Sequence, residues 1–178
     1  MNVIYHANFL DDEALDMLEA NKDWLFVSPN IGFTAIAACE GEQWFTEEQV
    51  QQLGFREELA GAVKGLQELR QRGVRILGGG DYGFRLTPHG NNARDLDHLV
   101  RHCGFTPMEA IFSMTRDGGA AMDIPEELGQ VHNGFLADLL LVDGNPLDDL
   151  LLLLDRDKLQ VVMKDGDLHK CAMVDGAG

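Results

Sequence analysis

The sequence predicts an α/β chain with a parallel sheet, followed by a short all-β tail. Two observations carry that reading. Short apolar runs alternate with helical patterns three times between Val3 and Cys103, and from about Gly129 the helical periodicity gives way to strand-like runs closed by a hairpin turn. Strands separated by helices imply a parallel sheet.

The elements follow in order. Val3-Ile4-Tyr5-His6 is a short strand of the buried type. Asp11 or Asp12 then caps a helix whose Ala14, Leu15 and Leu18 share a face. Trp24-Leu25-Phe26-Val27 is the second strand, closed by Ser28-Pro29-Asn30. Thr46 and Gln49 form a capping box opening a short helix, which Gly54 ends. Leu59, Ala62, Val63, Leu66 and Leu69 stripe a longer helix that stops at Gly73. Val74-Arg75-Ile76-Leu77 is the third strand, running into Gly78-Gly79-Gly80-Asp81. Beyond a loop, Leu96, Leu99, Val100 and Cys103 stripe another helix, stopped by Gly104. Thr106-Pro107-Met108-Glu109 combines a cap, a proline at the first helical position and the box partner. In the tail, Ala137–Val142 and Leu159–Met163 read as strands and Lys164-Asp165-Gly166-Asp167 as a hairpin turn.

Composition narrows the functional classes. With 178 residues, 45% hydrophobic and 25% charged, the chain suits an ordinary domain or a piece of a larger one, and wholesale disorder is excluded. Apolar runs such as Leu150–Leu154 fall far short of the ~18 residues of a membrane span. The N-terminus has no basic region and turns acidic at Asp11 and Asp12, so no signal peptide is expected. A net charge of −16 argues against nucleic acid and anionic membranes as partners. Cys39, Cys103 and Cys171 match no metal-knuckle spacing, and their scatter suits a reducing cytoplasm.

Several patterns compete for the chemistry. Gly78, Gly80 and Gly83 formally match a dinucleotide fingerprint. That motif needs a helix beginning within the glycines, whereas Thr87-Pro88-His89-Gly90 follows and Asp81 sits where a diphosphate would lie. His98 and His102 have the spacing of a helical zinc motif, but Leu99 occupies the position of its required Glu, so both read as solvated helix residues. His6 and Asp81 differ: each ends a strand, in the first and third of three strand–helix units, where catalytic side chains of parallel-strand enzymes gather. Together they look like two ligands aimed at one point.

At these residues a family resemblance emerges. Gly80-Asp81-Tyr82-Gly83 with Thr87-Pro88-His89-Gly90 resembles the last-barrel-strand signature of the amidohydrolase superfamily, near its imidazolonepropionase-like and prolidase-like branches. Ile4-Tyr5-His6 with Leu10-Asp11-Asp12-Glu13-Ala14 resembles the sixth-strand histidine segment of the same enzymes. Thr106–Ile111 with Met114–Ala120 resembles the helical pair after the barrel. Gly129-Gln130-Val131, Gly134–Leu139 and Gly144–Leu147 resemble the return to a small β domain, and Val162–Gly166 its closing hairpin.

The resemblance implies a fold and a chemistry. Residues 1–128 would be the last three βα units of a (β/α)8 TIM-type barrel with the following helices, and residues 129–178 part of a small β-sandwich domain. His6 would bind metal; Asp81 would bind metal and shuttle a proton; Tyr82 and His89 would lie where substrate sits. The cofactor implied is zinc, as one or two divalent ions, and the reaction is hydrolysis of an amide, peptide-like or ester small molecule by metal-activated water. The family's first-, fourth- and fifth-strand ligands have no counterpart, and Ala7-Asn8 stands where glycine commonly follows the histidine. A catalytic zinc usually takes three protein ligands, and a complete barrel takes ~250 residues. The expectation is therefore a C-terminal portion that needs an N-terminal half-barrel, or alternatively a non-catalytic truncated paralogue assembling with a host chain or another copy of itself. The strands without their neighbours would then bare Val3, Ile4, Leu25, Val27, Ile76 and Leu77, or their alternates.

Overall fold

A computed structural model describes residues 2–79 and 81–172. Gly80 of the aspartate motif, Met1 and the last six residues of the tail lie outside the described residues. Strand β1 (Val3–Tyr5), helix α1 (Asp12–Ala20), β2 (Phe26–Ser28), α2 (Ile31–Ala35), α3 (Glu47–Leu53), α4 (Phe55–Gln71), β3 (Arg75–Ile76) and α5 (Arg94–Cys103) form the α/β part. Helices α6 (Pro107–Met114) and α7 (Arg116–Ala121) follow. Strands β4 (Leu139–Val142), β5 (Leu159–Lys164) and β6 (Asp167–Cys171) close the chain.

The first sheet has the order β1-β2-β3, and both of its pairings are parallel. The pairings align Ile4 with Val27 and Val27 with Ile76, so these three residues share one face. On that face Val27 and Ile76 join Leu15, Leu59, Leu66, Leu69 and Leu99 in one core cluster. Helices α1, α2, α4 and α5 thus supply the cover that a parallel sheet requires. The second sheet is antiparallel, β4-β5-β6, and turns between β5 and β6 through Asp165 and Gly166, both at positive φ. The chain's own helices cover more of the first sheet than expected. Leu25, Val27, Ile76 and Leu77 are buried, while Ile4 on β1 remains 42% exposed.

The punctuation falls where the sequence puts it. Thr46 caps α3 in a reciprocal box with Gln49, and Thr106 caps α6 in the same way with Glu109. Gly54 and Gly104 end α3 and α5 in the left-handed conformation. One segment has no counterpart in the sequence reading: α2 and the π-helical turn that continues it from Ile36 to Glu40. Ile31, Thr34, Ala35, Ala37 and Ala38 are all buried there, so the segment has no polar face to reveal a helical period. A π turn inside a helix re-aims the side chains that follow it, and here it delivers Glu40.

Candidate active site

His6 follows β1 directly. Its backbone N–H donates to Ser28 O at 3.0 Å, extending the β1–β2 ladder by one bond beyond the paired strand residues. His6 and Ala7 then both take positive φ, 69° and 57°. Ala7 stands where the resemblance favours glycine, and it holds the conformation glycine adopts without steric cost.

Asp81 lies beyond β3, also at positive φ. Its carbonyl accepts a hydrogen bond from Thr87 Oγ1 at 2.7 Å, and the Gly83 N–H donates to Thr87 O at 2.8 Å. Thr87 is wholly buried, so the turn from Asp81 to Thr87 is tied to the interior rather than free in solvent. The parallel register thereby brings the first and third units together. His6 Nε2 stands 3.9 Å from Asp81 Oδ2, with both side chains about half exposed. They border a shallow cleft of about 140 Å³ with Tyr5, Ser28, Pro29, Asn30 and Gly79.

The two other candidates diverge. Tyr82 turns its hydroxyl inward, donating to Asp95 Oδ1 at 2.9 Å, with Asn91 O at 3.1 Å. Burial and the adjacent Asp95 carboxylate raise the phenol's pKa, so it stays protonated. His89 is exposed and lies over Gly83, whose added Cβ would come within 3.1 Å of its Nε2.

Two buried groups escaped the sequence reading. Asp95 is fully buried, and its pKa is pushed up to about 6 by that burial, opposed by hydrogen bonds from Tyr82 and the Gly79 backbone. Gly32 lies against it so closely that a Cβ there would overlap Oδ1. Carboxylates are seldom buried, and Tyr82, the partner that explains this one, is on a different loop. His98 corrects the expectation of a solvated helix residue: it too is fully buried, 3.4 Å from Glu40 Oε1. Its pKa is lowered, chiefly by burial, so the ring gives up its proton more readily than a free imidazole. The cause of the misreading is α5 itself, which packs a wide face of itself against α2, α4 and α6. Glu40 also accepts from Arg94 at 2.5 Å and Arg101 at 2.9 Å. Burial alone would raise its carboxyl, but His98, Arg94 and Arg101 hold it below the ordinary carboxylate range.

Imidazole nitrogen and carboxylate oxygen are the donor types of a zinc site, and their 3.9 Å separation is somewhat wider than the ~3.4 Å between two ligands of one tetrahedral ion. Their number does not suffice. Among the described residues no three His, Cys, Asp or Glu side chains converge, whereas a catalytic zinc takes three.

Comparison with known proteins identifies the relatives of the chain. The chain is 26% identical over 166 residues to ochratoxinase of Aspergillus niger, a match that covers 93% of this chain and 33% of that enzyme. The chain thus spans about a third of the length of the curated relatives it matches. Among solved structures, a prolidase-like protein from Bifidobacterium longum superposes with a TM-score of 0.81 at 26% identity, covering 94% of this chain and 42% of that one. A Xaa-Pro dipeptidase with methionine bound in its active site superposes at 0.76 with 28% identity, over 96% of this chain and 40% of that one. The model of the amidohydrolase family matches residues 44–169, well over half the sequence. That match shows the family, and the α/β fold is the one shared with the superposed structures: the chain belongs to the amidohydrolase family.

Proposed function

We propose that the chain is the C-terminal portion of a metal-dependent amidohydrolase that hydrolyses an amide, peptide-like or related ester bond in a small molecule. In this reading residues 1–128 are the last three βα units of a (β/α)8 barrel and residues 129–178 part of a small β-sandwich domain. The observation that carries it is the 3.9 Å approach of His6 Nε2 and Asp81 Oδ2 at the C-terminal ends of parallel strands, in a chain of this family. The names of the relatives, an ochratoxinase and a Xaa-Pro dipeptidase, support amide-type substrates.

His6 and Asp81 are the donors this chain would offer to zinc, which when bound lowers the pKa of a water to about 7. Asp81 then has a second role, accepting the proton of the attacking water at its carboxylate and delivering it to the leaving group. The Thr87 bond to the Asp81 carbonyl and the inward-turned Tyr82 fix the peptide that carries this carboxylate. His89 and the ring of Tyr82 line the loop that faces substrate. The remaining donors come from outside these 178 residues, in the same polypeptide or another.

Native mass spectrometry of the purified assembly with metal analysis tests the reading. The expected result is zinc bound only when an N-terminal half-barrel is present, with hydrolysis appearing in the same preparation. A metal-free homo-oligomer without hydrolytic activity would overturn it in favour of a non-catalytic assembly subunit.

A further inference from the structure

A second cleft, of about 230 Å³, lies between the chain that follows β2 and the chain that follows β3. Ile36, Leu86 and Pro88 give it apolar walls, and Gln43 and Asn91 give it neutral amides. Its cationic groups are Arg85 and Arg94, and its acid is Glu40. Glu40 is already committed, bonded to Arg94 at 2.5 Å and to Arg101 at 2.9 Å. Arg85 forms no ion pair with a carboxylate among the described residues; its guanidinium lies instead over the ring of Trp44, 4.5 Å from the centroid. In a chain of net charge −16 this is an uncompensated positive spot.

We propose that this cleft is a binding subsite for a monoanionic carboxylate carried on a small apolar or aromatic group. Stacking on Trp44 fixes the plane of the guanidinium, and a fixed guanidinium presents the paired N–H groups that a carboxylate accepts in bidentate fashion. The apolar walls take the group that bears the carboxylate, and the amides of Gln43 and Asn91 offer further donors. The protein's own field favours a single negative charge over a multiply charged phosphate, since each added charge increases the repulsion. Arg85 is four residues from Asp81, so their Cα atoms lie within ~14 Å. One small substrate can therefore reach from the subsite towards the paired donors. That role as a substrate anchor rests on the hydrolase reading; the existence of the subsite does not.

Binding to the whole chain tests the proposal without any activity. Trp24→Phe removes an exposed ring remote from the cleft and leaves Trp44 as the single tryptophan reporter. Titration with benzoate is expected to give a saturable change in Trp44 emission, confirmed by calorimetry, while neutral benzamide gives none. Arg85→Gln should weaken benzoate binding roughly tenfold or more, the loss expected for one charge-assisted pair, and Arg85→Lys less. Arg85 is exposed and bonded to no carboxylate, so both variants should fold, which circular dichroism verifies. The proposal is overturned if benzoate does not saturate by either method, or if benzamide binds equally well. It is also overturned if Arg85→Gln leaves the benzoate constant unchanged, or if inorganic phosphate binds more tightly than benzoate.

Discussion

Tyr82 Oη donates to Asp95 Oδ1 across 2.9 Å, and this single bond ties the loop bearing Asp81 to the buried start of α5. Tyr82→Phe removes the donor and leaves a buried carboxylate with no side-chain partner. A loss of ~1–3 kcal/mol is expected for that orphaned acceptor, read as a lower urea midpoint at unchanged slope. Asp95→Asn should lose less, since the neutral amide escapes the desolvation cost. Equal stability of Tyr82→Phe and the parent chain would show that the bond holds nothing.

The same pair gives a pH dependence with a definite sign. Asp95 has a folded-state pKa of about 6 against an ordinary value of 3.8, so between those values the folded state binds more protons than the unfolded state. Stability from this group is therefore fully present below about 3.8 and is lost as pH rises through about 6. Glu40, Glu47 and Asp138 have lowered values and act in the opposite direction. The difference between parent and Asp95→Asn stability across this range isolates the contribution. A difference that does not grow with pH would refute the assignment.

Asp81→Asn should leave the fold intact, because the carboxylate is half exposed and, among the described residues, its one ion-pair contact is the 3.9 Å approach of His6. In a complete assembly it should lower turnover by ~10²–10⁴, the usual worth of a general base. Near-parental turnover would remove Asp81 from the proposed chemistry.

The parts of this fold that were legible in the sequence are those with local physical signatures. Thr106 and Glu109 sit three residues apart and satisfy each other's orphaned groups, so their box reads directly. Gly54, Gly104 and the Asp165-Gly166 turn mark positive φ in the same local way. Asp81 was legible as a strand-end acid, and its partner His6 as a strand-end histidine, because strand ends are short-range patterns. What stayed hidden depends on pairs distant in sequence. Asp95 is explained by Tyr82, thirteen residues away, and by the missing side chain of Gly32. His98 is explained by Glu40, which reaches it only because the helix after β2 opens into a π turn. No spacing rule encodes either pairing.

The Thr106 cap offers a quantitative check on a surface feature. Glu109 is pulled down to about 2 by the Thr106 backbone N–H, by Arg70 and by the Thr106 hydroxyl. Thr106→Ala removes one side of the reciprocal box and should cost ~0.5–2 kcal/mol. Because the carboxyl is depressed in the folded state, its contribution is present above about 4.5 and is lost as pH falls towards about 2. The deficit of Glu109→Gln relative to the parent chain should therefore shrink on acidification through that window; a deficit that persists unchanged at the acid end would contradict it.

The edge of the first sheet yields the last prediction. In the order β1-β2-β3, strand β1 pairs on one side only, and among the described residues no strand lies beside the backbone groups of its other side. Ile4 is 42% exposed and Tyr5 65% exposed on this strand, so apolar side chains flank the open edge. Such an edge is a template for pairing with another strand. The negative charge of the chain slows close approach but cannot satisfy an N–H or a carbonyl. The isolated chain is therefore expected to associate through β1, with itself or with the half-barrel that completes the proposed fold. Sedimentation velocity over a range of concentrations should show association that Tyr5→Lys weakens, because a charged side chain on an edge strand opposes pairing. Added half-barrel polypeptide should displace the self-association. A parent chain that stays monomeric at every concentration and ignores the added half would show that β1 is a finished edge, and the half-barrel proposal would fall with it.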